Sequence, residues 1–94
     1  MSNPTTEKEN EWLDLLQEEC AEVIQVASKV KRFGWESHHP EDELKILNRN
    51  HLEIEIGDVL AFVEILTSRG IISKSNIDEN VIIKLKKLKA LKII

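Results

Sequence analysis

The sequence predicts an all-α protein: an antiparallel bundle of about four helices, completed by oligomerisation. Apolar residues step by three and four through two long segments, the period of an amphipathic helix. Gly34, Pro40 and Gly70 fall where that pattern stops or restarts. The 94 residues, 1–94, make one domain whose core would be marginal alone, which association of copies would relieve.

Residues 1–6, with Pro4 and a Thr pair, read as a frayed end. A helix follows from about Glu7 to Arg32. Its core stripe is Leu13, Leu16, Cys20, Val23, Ala27 and Val30, with Cys20 as a small core residue. Gly34 suits a helix end, and Lys29, Lys31 and Arg32 suit the negative end of the helix dipole. Residues 33–40 read as a loop. Pro40 followed by Glu41, Asp42 and Glu43 predicts the first turn of a short helix over about 40–47. Asn48 can cap the next helix, which runs from about Arg49 to Ser68 on Leu52, Ile56, Val59, Val63 and Leu66. Arg69 and Gly70 close it. A last helix starts at Ser75 or Asn76, with Val81, Leu85 and Leu88 as its inner face. Lysines 84, 86, 87, 89 and 92 fill its later turns. Short connections favour antiparallel packing.

Composition narrows the class. The chain is 41% apolar and 32% charged, with no apolar run near the ~20 residues of a membrane span. Met1–Asn10 has no signal-peptide character, and the single Cys20 excludes an internal disulfide framework or a Cys-rich zinc site. A cytoplasmic location is the expectation, in the host cytoplasm if the protein is phage-encoded. Charge is uneven: residues 7–64 carry 15 acidic and 6 basic side chains, residues 65–94 carry 2 acidic and 7 basic. The basic end reads either as a solvated helix or as a segment that meets phosphates. Basic charge confined to one helix is a poor footprint for nucleic acid.

The two long helices each carry a second row beside the core stripe. On the first it is Leu15, Glu19, Glu22 and Val26; on the second, Asn48, His51, Glu55, Asp58, Phe62 and Ile65. Acids three residues apart share a helix face and repel. No Lys or Arg stands four residues from Glu19, Glu55 or Asp58. Partly buried carboxylates without counter-charge are costly, and a divalent cation would supply the charge. Hard oxygen donors in this number suit Mg²⁺ or Mn²⁺ better than Zn²⁺. Gly57 between the second pair would permit close approach of another helix. Solvated acids and a tolerated packing glycine are the alternatives.

Glu18-Glu19-Cys20-Ala21-Glu22, followed by Glu55-Ile56-Gly57-Asp58, resembles the EExxE and ExxD motifs of the MazG-like all-α nucleoside triphosphate pyrophosphohydrolases. The resemblance runs from about Trp12 to Leu66. Lys31-Arg32-Phe33-Gly34 and Asn48-Arg49 look like short, single-domain, phage-type members. The resemblance implies hydrolysis of a (d)NTP between its α- and β-phosphates, giving a nucleoside monophosphate and pyrophosphate. It implies Mg²⁺ on Glu19, Glu22, Glu55 and Asp58, with Glu18 and Glu19 taking part in catalysis. It also implies a homo-oligomer, dimer or tetramer, and basic residues of the last helix against the phosphates. Lys84 is the best match and Lys87 the next, but the expected arginine four residues after Lys84 is Leu88.

Lys31 is a further candidate for phosphate. Trp12 and Trp35 are candidates to stack on the base, with core or oligomer packing as the alternative. His51 could hydrogen-bond Glu55. His38 and His39 read as solvated loop. A phosphoribosyl-ATP substrate is disfavoured because Phe62 stands where a His is expected, and an alarmone stays open. A di-iron site would need Glu-x-x-His pairs, which are absent. The alternative outside enzymes is a non-catalytic helical binding or regulatory module of the same fold.

Overall fold

A computed structural model describes residues 4–94. They form three helices and, among the described residues, no strand: α1 Glu7–Phe33, α2 Asn48–Ser68 and α3 Lys74–Ala90. The all-α class is as the sequence predicts; the helix count is three. The chain divides into two compact units, Met1–Val63 and Glu64–Ile94.

α1 begins on a capping box. The Thr6 hydroxyl accepts from the Glu9 N–H (3.1 Å), and the Glu9 carboxylate accepts from the Thr6 N–H (2.8 Å). The expected frayed end is therefore corrected at Thr6, and residues 1–3 of that expectation lie outside the described residues. α1 ends at Gly34, whose φ of 90° and ψ of 167° are accessible to glycine and strained for other residues.

The expected helix over 40–47 is absent; that stretch is turns and irregular chain. Asp42 explains this. Its carboxylate accepts the Leu44 N–H (3.0 Å) and the Ile46 N–H (2.9 Å), donors a helix would have sent to backbone carbonyls. Lys45 adopts a left-handed φ of 52°, which also stops a helix. Asn48 departs from its expected role too. Instead of accepting as a cap, its buried amide donates to the Gly34 carbonyl (3.0 Å). The Asn48 and Arg49 N–H groups donate to the carbonyls of Ser37 (2.8 Å) and Trp35 (3.0 Å). The loop after α1 thus takes up the first unpaired donors of α2.

This closure makes α1 and the 48–63 part of α2 an antiparallel pair. The seam is formed by Trp12, Leu16, Glu19, Val23, Val26 and Val30 against Asn48, His51, Leu52, Glu55, Val59 and Phe62, all buried or half-buried. The predicted core stripe is correct only in part. Leu13, Cys20, Ala27 and Ile56 are exposed. Two helices alone cover a narrow row, so the outer flank of a wide apolar stripe stays open. Val26 and Leu66 are the only buried apolar side chains among the described residues. Gly57 also departs from expectation: a Cβ built there meets nothing within 4 Å, so no neighbour among the described residues requires its small size.

In the second unit, Gly70 (φ 71°) closes α2, with Ile71 N–H on the Leu66 carbonyl (3.0 Å) and Gly70 N–H on Thr67 (3.0 Å). Ser73 caps α3 by accepting the Asn76 N–H (3.2 Å), so α3 starts at Lys74, earlier than expected. Ile77 and Leu88 are half-buried, whereas Val81 and Leu85 are exposed, against their predicted place on an inner face. No helix among the described residues is long and apolar enough to cross a membrane.

Candidate metal centre

Glu19 and Glu22 lie three residues apart on α1; Glu55 and Asp58 do so on α2. Antiparallel packing sets Glu19 level with Asp58 and Glu22 level with Glu55. Each of the four offers a carboxylate oxygen, and these four oxygens lie within 4.8 Å of one another. The seam brings them together because the acid row of each helix faces the other helix, rather than lying beside the core.

The electrostatics of this cluster are unfavourable without a cation. Glu55 is pushed up to about 7, first by a carboxyl–carboxyl hydrogen bond with Glu22, then by burial and by the charges of Glu22, Asp58 and Glu19. Glu19 is raised first by burial, then by the charges of Glu22 and Asp58 and by hydrogen bonds to both. A hydrogen bond between two carboxyls needs a proton on one of them. When the groups are ionised, Glu19 Oε2 and Glu55 Oε2 are buried lone-pair atoms with no donor. Four carboxylate oxygens converging from two helices, with a donor-less buried oxygen on both Glu19 and Glu55, fit a hard divalent cation. The donor set therefore agrees with Mg²⁺ and equally with Mn²⁺.

Glu18 is exposed, one turn before Glu22, outside the four-carboxylate group. Trp12 is half-buried in the seam, two turns before Glu19. Trp35 lies in the loop with the Arg49 guanidinium 6.0 Å from its ring centre. Arg49 also pairs with Glu36. Lys31 is exposed in the last turn of α1. Lys84 and Lys87 are exposed on α3, within the second unit.

A cavity of about 320 Å³ lies at the end of α1 and the start of α2, with Lys29, Phe33, His38, His39, Asn48 and His51 in its lining. His51 is one turn before Glu55, and Lys29 is seven residues, two turns, after Glu22 on the same face. Sequence reasoning passed over Phe33 as a site residue and read the paired histidines as solvated loop. No periodicity marks a cavity built by a loop, so the sequence held no signal for it. Compared with family models, with curated proteins and with solved structures, the chain matches none of them.

Proposed function

We propose that the chain is a Mg²⁺-dependent nucleoside triphosphate pyrophosphohydrolase of the MazG-like kind. The single observation that supports this most is the convergence of Glu19, Glu22, Glu55 and Asp58 within 4.8 Å, with two buried oxygens lacking a donor. Those four residues would hold the ion. Bound there, Mg²⁺ would supply polarisation of the α-phosphoryl group and a lowered pKa for water. In this reading Glu18, exposed one turn from Glu22, would accept the proton of the attacking water. The water oxygen bonds to the α-phosphorus as the bond from that phosphorus to the bridging oxygen breaks. Pyrophosphate leaves with the electron pair, and the nucleoside monophosphate remains. No covalent intermediate on the chain is required.

Function in the cytoplasm, as a homo-oligomer, belongs to the same proposal. Ile24, Ile56 and Leu60 are exposed, and in an antiparallel pair they lie on one side of the seam, beside Cys20 and Ala27. An apolar face of this kind is suited to a second copy.

The test is release of pyrophosphate from a panel of canonical and modified nucleoside triphosphates with Mg²⁺, repeated with Glu19→Gln and Asp58→Asn. Turnover in the wild type and its loss in both variants is the expected result. No cleavage of any nucleotide, or full activity in both variants, would overturn the assignment.

A further inference from the structure

We infer that the cavity between the end of α1 and the start of α2 receives the base and sugar of the nucleotide, an assignment that rests on the hydrolase function proposed above. Three independent features point to it. The first is size: about 320 Å³ lies at the lower end of the range for small-molecule sites, roughly 300–1,000 Å³. The second is continuity with the metal centre. His51 in the cavity wall is one turn from Glu55, a rise of about 6 Å. Lys29, two turns after Glu22 on the same α1 face, is also in the cavity lining. A nucleotide held by its phosphates at the four carboxylates can therefore lay its other end along the same face into the cavity.

The third feature is the chemistry of the wall. Phe33 is 61% exposed and offers an aromatic face, with the Arg32 guanidinium 5.2 Å from its ring centre. Bases stack on such faces irrespective of their identity. Identity requires directed hydrogen bonds, and the two histidines supply them. His38 Nδ1 bonds the carbonyl oxygen of His39 (3.0 Å). A carbonyl only accepts, so Nδ1 carries the hydrogen and the neutral ring leaves Nε2 as an acceptor. His39 is the reverse: its Nδ1 accepts the Glu41 N–H (3.1 Å), so its hydrogen is on Nε2, a donor. The backbone thus fixes opposite tautomers on neighbouring rings. The two rings therefore offer one acceptor and one donor nitrogen, the kind of alternation found along a nucleobase edge. Asp42 steadies this loop through its bonds to Leu44 and Ile46, so the cavity is formed in advance.

The experiment is a backbone-amide NMR titration of the full chain with Mg²⁺ and each of AMP, GMP, CMP and UMP, with tripolyphosphate as the base-free control. The expected result is shifts at amides of 33–41 and 48–51 for nucleotides but not for tripolyphosphate, beside shifts around 19–22 and 55–58 for both, with one base bound tightest. Phe33→Ala should weaken that nucleotide about tenfold or more. His39→Ala, at an exposed loop position, should weaken it roughly fivefold to tenfold and flatten the preference among bases, with an unchanged amide spectrum away from 38–42 as the control for folding. Absence of shifts at these amides, equal shifts with tripolyphosphate, or an unchanged base preference in His39→Ala overturns the inference. Pyrophosphate release from triphosphates is read separately. Turnover without shifts in the cavity removes the cavity assignment and leaves the hydrolase. Shifts without turnover remove the hydrolase and leave a nucleotide-binding cavity.

Discussion

Glu19 and Glu55 occupy positions where ionisation opposes folding, and this gives the metal-free protein a particular pH dependence. Glu55 moves from 4.5 in the unfolded chain to about 7 in the folded one, chiefly through its shared proton with Glu22. Between those values the folded state binds more protons than the unfolded state. The Glu55 contribution to stability is therefore full below about pH 4.5 and is lost as pH rises through about 7. Glu19 shifts in the same direction, through burial first. Asp42 has the opposite sign: the Ile46 N–H holds it below its usual 3.8, so its contribution is lost only in stronger acid. Thermal melts in chelator from pH 4.5 to 8 should show a steady loss of stability, and Mg²⁺ should restore it at the upper end by binding only the folded state. Glu55→Gln should flatten that pH slope and remove the stabilisation by Mg²⁺. A slope unchanged in this variant would show that the shared proton does not dominate.

At the scale of the element, the ends of the helices are more sensitive than their exposed interiors. Thr6→Ala removes one half of the capping box of α1 and should cost about 1 kcal/mol in chemical denaturation. Gly34→Ala forces a side chain onto a φ of 90° and should cost about 1–3 kcal/mol, although a Cβ there meets nothing within 4 Å. Gly57→Ala provides the contrast. It sits inside α2 with open space around a built Cβ, so the substitution should stabilise the chain by about 1 kcal/mol through helix propensity. Loss of stability there would mean that another copy packs against this face. The link between α1 and α2 depends on one buried group: Asn48→Ala leaves the Gly34 carbonyl without its donor and should cost about 1–3 kcal/mol.

For the whole molecule the deciding quantity is apolar surface left open. Ile24 is 68% exposed and Leu60 58%, while only two apolar side chains among the described residues are buried. Sedimentation equilibrium should give a multiple of the 10.8 kDa chain mass. Glu at both Ile24 and Leu60 should shift the protein toward the single-chain mass and lower its melting temperature, because charge on an apolar contact is costly to bury. A wild-type mass of one chain at high concentration would refute association through this face.

The sequence by itself determined the two long helices and the basic last helix, the ends at Gly34 and Gly70, and the two acid pairs, because these depend on local periodicity and on backbone limits. Thr6-x-x-Glu9 was equally legible as a capping box, although residues 1–6 read as a frayed end. Tertiary structure decided which stripe faced inward. A wide apolar stripe leaves the crossing line of two helices open, and the hairpin set that line along Glu19 and Glu55, leaving Cys20 and Ile56 outside. It also decided the fate of 40–47, where the Asp42 side chain outcompeted the helix for backbone donors. The cavity arose only when Phe33, His38, His39 and His51 met across the loop. Residues so placed share no period, and they meet where the Asn48 side chain and the Asn48 and Arg49 N–H groups bond Gly34, Ser37 and Trp35 and close α1 onto α2.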